Sequence, residues 1–237
     1  ERPVAAETHY DHRQQLRHFH LYRRVMEEID RRIGGGHLLD VGCAGGLFLV
    51  FAGVFASEHH GGINSRYKVS GAGFDPQEVE LAKRISGAPV VRLEELGSVT
   101  ENSFDAITLL NVLEHVNHPS HLLRQLRRVL RPGGVLVVVV PNNELAFWKL
   151  RHGIGGRPES LTANEHINHF RPGSLRRLLN AAGFSQVELR PVSVHSAYGS
   201  ISRVPVKHWM KHSAYRVLHA CTGAGCYIYS EIFCVAK

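Results

Sequence analysis

Residues 37–50 read HLLDVGCAGGLFLV. Apolar residues lead into Asp40, and three glycines, Gly42, Gly45 and Gly46, follow at once. A buried strand running straight into such a loop constrains the fold more than any other stretch of the chain. Glycine lets the backbone turn tightly and lets a ligand approach with no Cβ in the way. In open parallel sheets, ligands sit beyond the carboxyl ends of the strands, where strand order reverses. The helix that follows offers free N–H groups at the same place. The spacing is Asp-x-Gly-x-Ala-x-Gly over Asp40, Gly42, Ala44 and Gly46. It matches neither G-x-G-x-x-G nor the phosphate loop ending in Gly-Lys-Ser/Thr, and no lysine follows to neutralise a triphosphate. A carboxylate ahead of the loop suits a cationic or hydrogen-bond-donating ligand. The same residues also suit a plain strand-to-helix turn, and the loop alone does not decide between the two.

The remaining pattern places that loop in an α/β fold. Residues 7–33 read as one or two polar helices, stopped by the glycines at 34–36. After the glycine loop comes an apolar helix at 46–56, then a strand in YKVSGAGFD (67–75). PQEVELAKRI (76–85) is a helix with proline in its first turn. APVVRLEEL (88–96) and SFDAITLLNV (103–112) supply the third and fourth strands, PSHLLRQLRRVL (119–130) a strongly periodic helix, and VLVVVV (135–140) a fifth strand. PGSLRRLLNAAGF (172–184) is a helix ended by Gly183, and QVELRPV (186–192) and YIYSEIFCVAK (227–237) are late strands. Strands alternating with helices predict a parallel sheet covered on both faces. Residues 143–170 and 194–225 fall outside the alternation.

A length of 237 residues suits one domain, with or without a small lid. No apolar run approaches the roughly 18 residues that cross a bilayer, so no transmembrane segment is expected. The first 30 residues are charged and lack the apolar stretch of a secretory signal; a start at Glu1 leaves trimming open. Cys43, Cys221, Cys226 and Cys234 form no paired CxxC set. They read as free thiols of a cytoplasmic protein, with no zinc site. The net charge of +7 fits an anionic substrate or RNA, or merely an arginine-rich solvated surface.

Asp75 ends the second strand. One carboxylate can accept hydrogen bonds from two vicinal ribose hydroxyls. Asp75-Pro76-Gln77-Glu78 is equally a good helix N-cap, and the second oxygen of a capping aspartate stays available to a ribose.

Taken in order, LLDVGCAGGLFL, GFDPQEVELAKR, SFDAITLLNVLEHVNHP, LRRVLRPGGVLVVVVPN and FRPGSLRRLLNAAGF closely resemble the class I S-adenosylmethionine-dependent methyltransferases, in the branch of ubiquinone-pathway-like and small-molecule enzymes. The resemblance covers residues 34–192. It implies a Rossmann-like, seven-stranded, mostly parallel sheet with helices on both faces. It implies S-adenosylmethionine as cofactor and S-adenosylhomocysteine as product. On that basis 1–33 is an N-terminal helical lid and 34–192 the cofactor-binding core. Residues 143–170 are an acceptor-pocket insertion, and 193–237 complete the sheet.

By the same resemblance, Asp40 lies near the methionine amino group. Gly42, Ala44 and Gly46 contact the methionine part through their backbone. Asp75 matches the ribose-binding acid and Pro76 the residue beside the adenine. Among Leu93, Glu94 and Glu95, Glu94 is taken as the contact to the adenine amino group. Asn111 and Val112 follow the fourth strand and face the methionine. One departure stands out: Asp75 comes 29 positions after Gly46, against about 20 in related nucleotide folds. The surplus falls near ASEHHGGINSRYK (56–68) and reads as an exposed insertion, which costs little.

Methyl transfer of this kind needs donor and acceptor held in line, and an oxygen acceptor often needs a base. The chain has 17 histidines. His115 follows the cofactor loop in the family pattern, and His166 and His169 in NEHINHF (164–170) lie where the acceptor pocket forms. Each also reads as part of a packed loop. Glu165 could bind an ammonium or orient a histidine. His166 and His169 are only a pair, so no metal is expected. The leading expectation is an enzyme that methylates a small molecule at oxygen. An RNA or protein methyltransferase and a non-catalytic binding protein on the same fold are the alternatives, with nucleic acid not favoured. The sequence leaves the oligomeric state open.

Overall fold

A computed structural model describes residues 12–55, 66–153, 166–192 and 231–237. Seven strands form one sheet in the order β3-β2-β1-β4-β5-β7-β6: β1 (Gly36–Val41), β2 (Tyr67–Gly73), β3 (Val90–Arg92), β4 (Phe104–Leu110), β5 (Leu130–Pro141), β6 (Glu188–Val192) and β7 (Glu231–Ala236). Strands β1 to β5 pair in parallel, and β7 runs antiparallel between β5 and β6. This is the expected mostly parallel, seven-stranded sheet. Strand order reverses between β1 and β4, so the loops after those two strands border the crevice where such sheets bind ligands.

Residues 135–140 show why an unbroken apolar run suits a central strand. Leu136, Val138 and Val140 point into one core and Val135, Val137 and Val139 into the other. Two helices cover the first face, α4 (Pro119–Val129) and α6 (Pro172–Ala181). Leu122, Leu123, Leu126 and Val129 make the buried stripe of α4, and Leu175 and Leu179 that of α6. Helices α1 (His12–Ile33) and α2 (Leu47–Val54) cover the second face, where Val25, Met26 and Ile29 are wholly buried. Helix α1 is pinned there by a buried carboxylate. Glu28, 3% exposed, is held by Arg31 and Arg32 of its own helix and by Arg190 of β6 at 3.1 Å.

Helix α3 (Pro76–Ser86) starts on the Asp75 cap and ends on Gly87 in the left-handed region, as a capped helix should. Two elements depart from the sequence reading. β5 begins at Leu130, earlier than the valine run, because the chain keeps pairing through a register shift opposite Phe104 and Ala106. Gly133, at φ +80°, absorbs that irregularity. Residues 143–170 contain a helix, α5 (Glu144–Arg151), whose first N–H is capped by Asn142 Oδ1 at 3.0 Å. The stretches 1–11, 56–65, 154–165 and 193–230, with the expected insertion, Glu165, Cys221 and Cys226, lie outside the described residues. Among the described residues, no helix is long and apolar enough to cross a membrane.

Candidate active site

Asp40 sits near the end of β1 with 3% exposure. Its carboxylate accepts a hydrogen bond from the Thr108 hydroxyl at 2.6 Å, and the two residues face each other across the β1–β4 pairing. Burial pushes the carboxyl up to about 7, with the Thr108 hydrogen bond pulling the other way. A buried carboxylate on the verge of ionising is a poor structural device and a good partner for a bound cation.

The loop after it bends as the spacing predicts. Gly42, Ala44 and Gly46 all take positive φ, at 77°, 42° and 84°. The turn therefore repeats a left-handed residue at every second position, which glycine adopts freely and alanine at a penalty of about 1–2 kcal/mol. The N–H groups of Gly42 and Cys43 both donate to Ala72 O of β2, at 2.7 and 3.2 Å. A Cβ built on Gly42 would lie 2.4 Å from Val112 Cγ2, so the loops after β1 and β4 touch at that point. A Cβ on Gly46 would lie 3.0 Å from Ala82 Cα, which brings α3 hard against the start of α2. Cys43 is buried between Gly71 and Gly73. Burial, then the Asp40 charge, holds its thiol up at about 12, a packing group rather than a nucleophile.

Asp75 takes the capping role considered for it. It caps α3, and both cap bonds, from the N–H groups of Gln77 at 2.6 Å and Glu78 at 3.2 Å, fall on Oδ1. The cap does not use its other oxygen. Pro76 occupies the first turn beside it. The third-strand acids are engaged locally. Glu94 pairs with Arg92 at 2.7 Å, and Glu95 accepts the Arg92 N–H at 2.9 Å to close the turn 93–98. Asn111, at φ 56°, follows β4 directly and donates its N–H to Val139 O at 2.9 Å.

The histidines divide. A short turn, Leu113–His115, follows Val112, and His166 comes up against it. The His115 and His166 rings lie 4.9 Å apart at 69°. Asn168 clamps the two segments together. Its N–H donates to Glu114 O at 3.0 Å, and its side-chain amide donates to Leu113 O and Val116 O at 3.0 and 2.6 Å. His169 turns instead toward Phe147 of α5, with ring centroids 6.5 Å apart, and its buried Nδ1 has no hydrogen-bond partner among the described residues. Thr108, Asn168 and the buried Glu114 escape sequence reasoning. Thr108 is found only once β1 and β4 are in register, and Glu114 is legible in sequence only as part of the loop that follows the fourth strand, with no role of its own.

A family profile described as a methyltransferase domain matches residues 10–189. Over 167 residues the chain is 27% identical to a ubiquinone biosynthesis O-methyltransferase of Idiomarina loihiensis, covering 65% of this chain and 64% of that one. Over 126 residues it is 32% identical to an enzyme of the same name from Xanthomonas oryzae, covering 50% and 48%. The chain thus spans about half to just under two thirds of the length of these relatives. Among solved structures, an S-adenosylmethionine-dependent methyltransferase from Archaeoglobus fulgidus superposes with a TM-score of 0.60 at 16% identity, covering 93% of this chain and 94% of that one. At that identity the likeness speaks for the fold.

Proposed function

The chain belongs to the methyltransferase-domain family, whose donor is S-adenosylmethionine, and from that premise we propose that it methylates a small molecule at oxygen. The observation that carries this reading is the convergence at one strand edge. Val112 touches the glycine loop at Gly42, and three residues further on His115 meets His166. The loop assigned to the cofactor and the two histidine rings thereby adjoin. The O-methyltransferase names of the relatives support the same acceptor atom.

The residues present fit the donor. Asp40 offers a buried carboxylate to an ammonium. Gly42, Ala44 and Gly46 offer bare backbone, with no room for a Cβ at Gly42. Asp75 offers its second oxygen to a ribose, beside Pro76. Asn111 and Val112 wall the methionine end, and Glu94 is the third-strand residue assigned to the adenine. When bound, the donor supplies a methyl group already activated on a sulfonium. The protein's own task is to hold the acceptor in line, about 3–3.5 Å away, and to take its proton. Of His115, His166 and His169, His169 suits the proton best, because its buried Nδ1 has no hydrogen-bond partner among the described residues. Helix α5, whose Phe147 packs near His169, walls the acceptor side, and the protein works in the cytoplasm.

Incubation with methyl-labelled S-adenosylmethionine and a panel of hydroxylated aromatics tests this. The expected product carries the label on oxygen. Label recovered only in RNA, in protein, or on nitrogen would overturn it. Asp75 gives a second expectation. Asp75→Ser keeps a capping oxygen and loses the second one. Its stability should stay within about 0.5 kcal/mol, while donor affinity falls at least about tenfold. Asp75→Ala should lose the affinity and also about 0.5–2 kcal/mol of stability. Denaturant melts and calorimetry on the pair separate the two roles.

A further inference from the structure

Glu114, His115 and His166 place one potential ligand atom each within 4.8 Å of one another. We propose that they bind a divalent transition cation. Three features carry the assignment beyond proximity. First, Glu114 is 1% exposed, and a carboxylate so deeply buried is stabilised by a cation beside it. Second, the two ligand-bearing segments are locked in register by the three Asn168 hydrogen bonds described above. The set is therefore held together before any ion arrives. Third, the imidazoles meet edge to face rather than stacked, so they approach a common centre from different directions.

The donors would need only a small inward shift. Nitrogen and oxygen ligands sit about 2.0–2.2 Å from zinc, and ligands at that radius lie roughly 3–4 Å apart. The ligand types choose among ions. One carboxylate with two imidazoles suits zinc, manganese or iron(II), whereas magnesium and calcium favour all-oxygen sets. Burial grades from Glu114, inside, to His115, exposed, with His166 between. A bound ion would therefore keep a side open, as catalytic sites do. Resting on the reading of this edge as the acceptor pocket, that open position would receive the acceptor's oxygen and make its proton easier to remove. The metal thus enters through a third ligand, Glu114, which the His166–His169 pair in the sequence did not suggest.

The test is direct and needs neither donor nor acceptor. Chelator-stripped protein is titrated with zinc and, separately, with magnesium, and cobalt(II) is added to read coordination from its visible spectrum. One high-affinity zinc per chain is expected, with magnesium much weaker. His115→Ala and His166→Ala should each weaken zinc by more than the ~10–100-fold that a change to an outer-shell partner costs. His121→Ala, on the exposed face of α4, should leave it unchanged. His115 is exposed, so its variant keeps the test valid if the His166 variant folds poorly. Circular dichroism checks both. No stoichiometric zinc, or zinc bound equally by both variants, would overturn the proposal. Because the readout is metal binding alone, failure of O-methylation would leave this result standing, and the reverse.

Discussion

Asp40→Asn protein should melt higher than the unaltered protein at pH 8 and bind S-adenosylmethionine about 100-fold more weakly. Both effects come from one buried carboxylate. Its folded value of about 7 lies above the ordinary 3.8, so the native state holds the proton more tightly than the unfolded state. Stability is therefore undiminished below the unfolded value. It falls as pH rises from about 4 to about 7, and stays reduced above that. A shift of this size corresponds to a penalty on the order of 4 kcal/mol at full ionisation. An asparagine can still accept the Thr108 hydrogen bond and carries no charge, but its amide N–H groups need partners. A net gain of ~2 kcal/mol, or about 4–8 °C, is the expected remainder. Thermal melts from pH 4 to pH 8 should show the gain growing with pH. Donor binding should move the other way. Below about pH 7 the carboxyl must first release its proton to receive an ammonium, so affinity should drop up to roughly tenfold per unit. An Asp40→Asn protein that binds the donor normally would remove Asp40 from the site.

Gly42→Ala should be close to a knockout. The new Cβ would stand 2.4 Å from Val112 Cγ2 at a φ of +77°. Left-handed strain costs about 1–3 kcal/mol and overpacking a further ~1–3 kcal/mol. A loss of ~2–6 kcal/mol of stability is expected, together with undetectable donor binding, since the loop must shift. Adding Val112→Ala relieves the contact but not the backbone. The double variant should regain about half the stability and little of the binding. Denaturant titration and calorimetry on the three proteins check this. A Gly42→Ala protein that melts and binds normally would mean that the loop is only a turn.

The features legible in sequence are the local ones. The glycine spacing announces the loop because alternate positions take positive φ, and only certain residues tolerate that. The α3 cap is legible because Asp, Pro and Glu stand at fixed offsets. Asp75 is ambiguous in sequence, and in the structure one of its oxygens is used by the cap. Less local features are hidden. The Asp40–Thr108 pair depends on β1–β4 register, which no one-dimensional pattern sets. The meeting of Glu114 with His166 joins segments that are distant in sequence and held together by Asn168. Helix α5 escapes the sequence reading although Asn142-Asn143-Glu144 is a fair start signal, because the residues after it show weak apolar periodicity. The early start of β5 is concealed by RPGG, which reads as a turn and acts here as an irregularity inside a strand.

Calorimetric titration of the folded protein with S-adenosylmethionine at pH 8 tests the central claim most directly. The account predicts one site per chain with micromolar affinity, about −8 kcal/mol, which Asp75→Ser and Asp40→Asn both weaken. Well-folded protein that takes up no donor would contradict it, and so would binding that neither substitution alters.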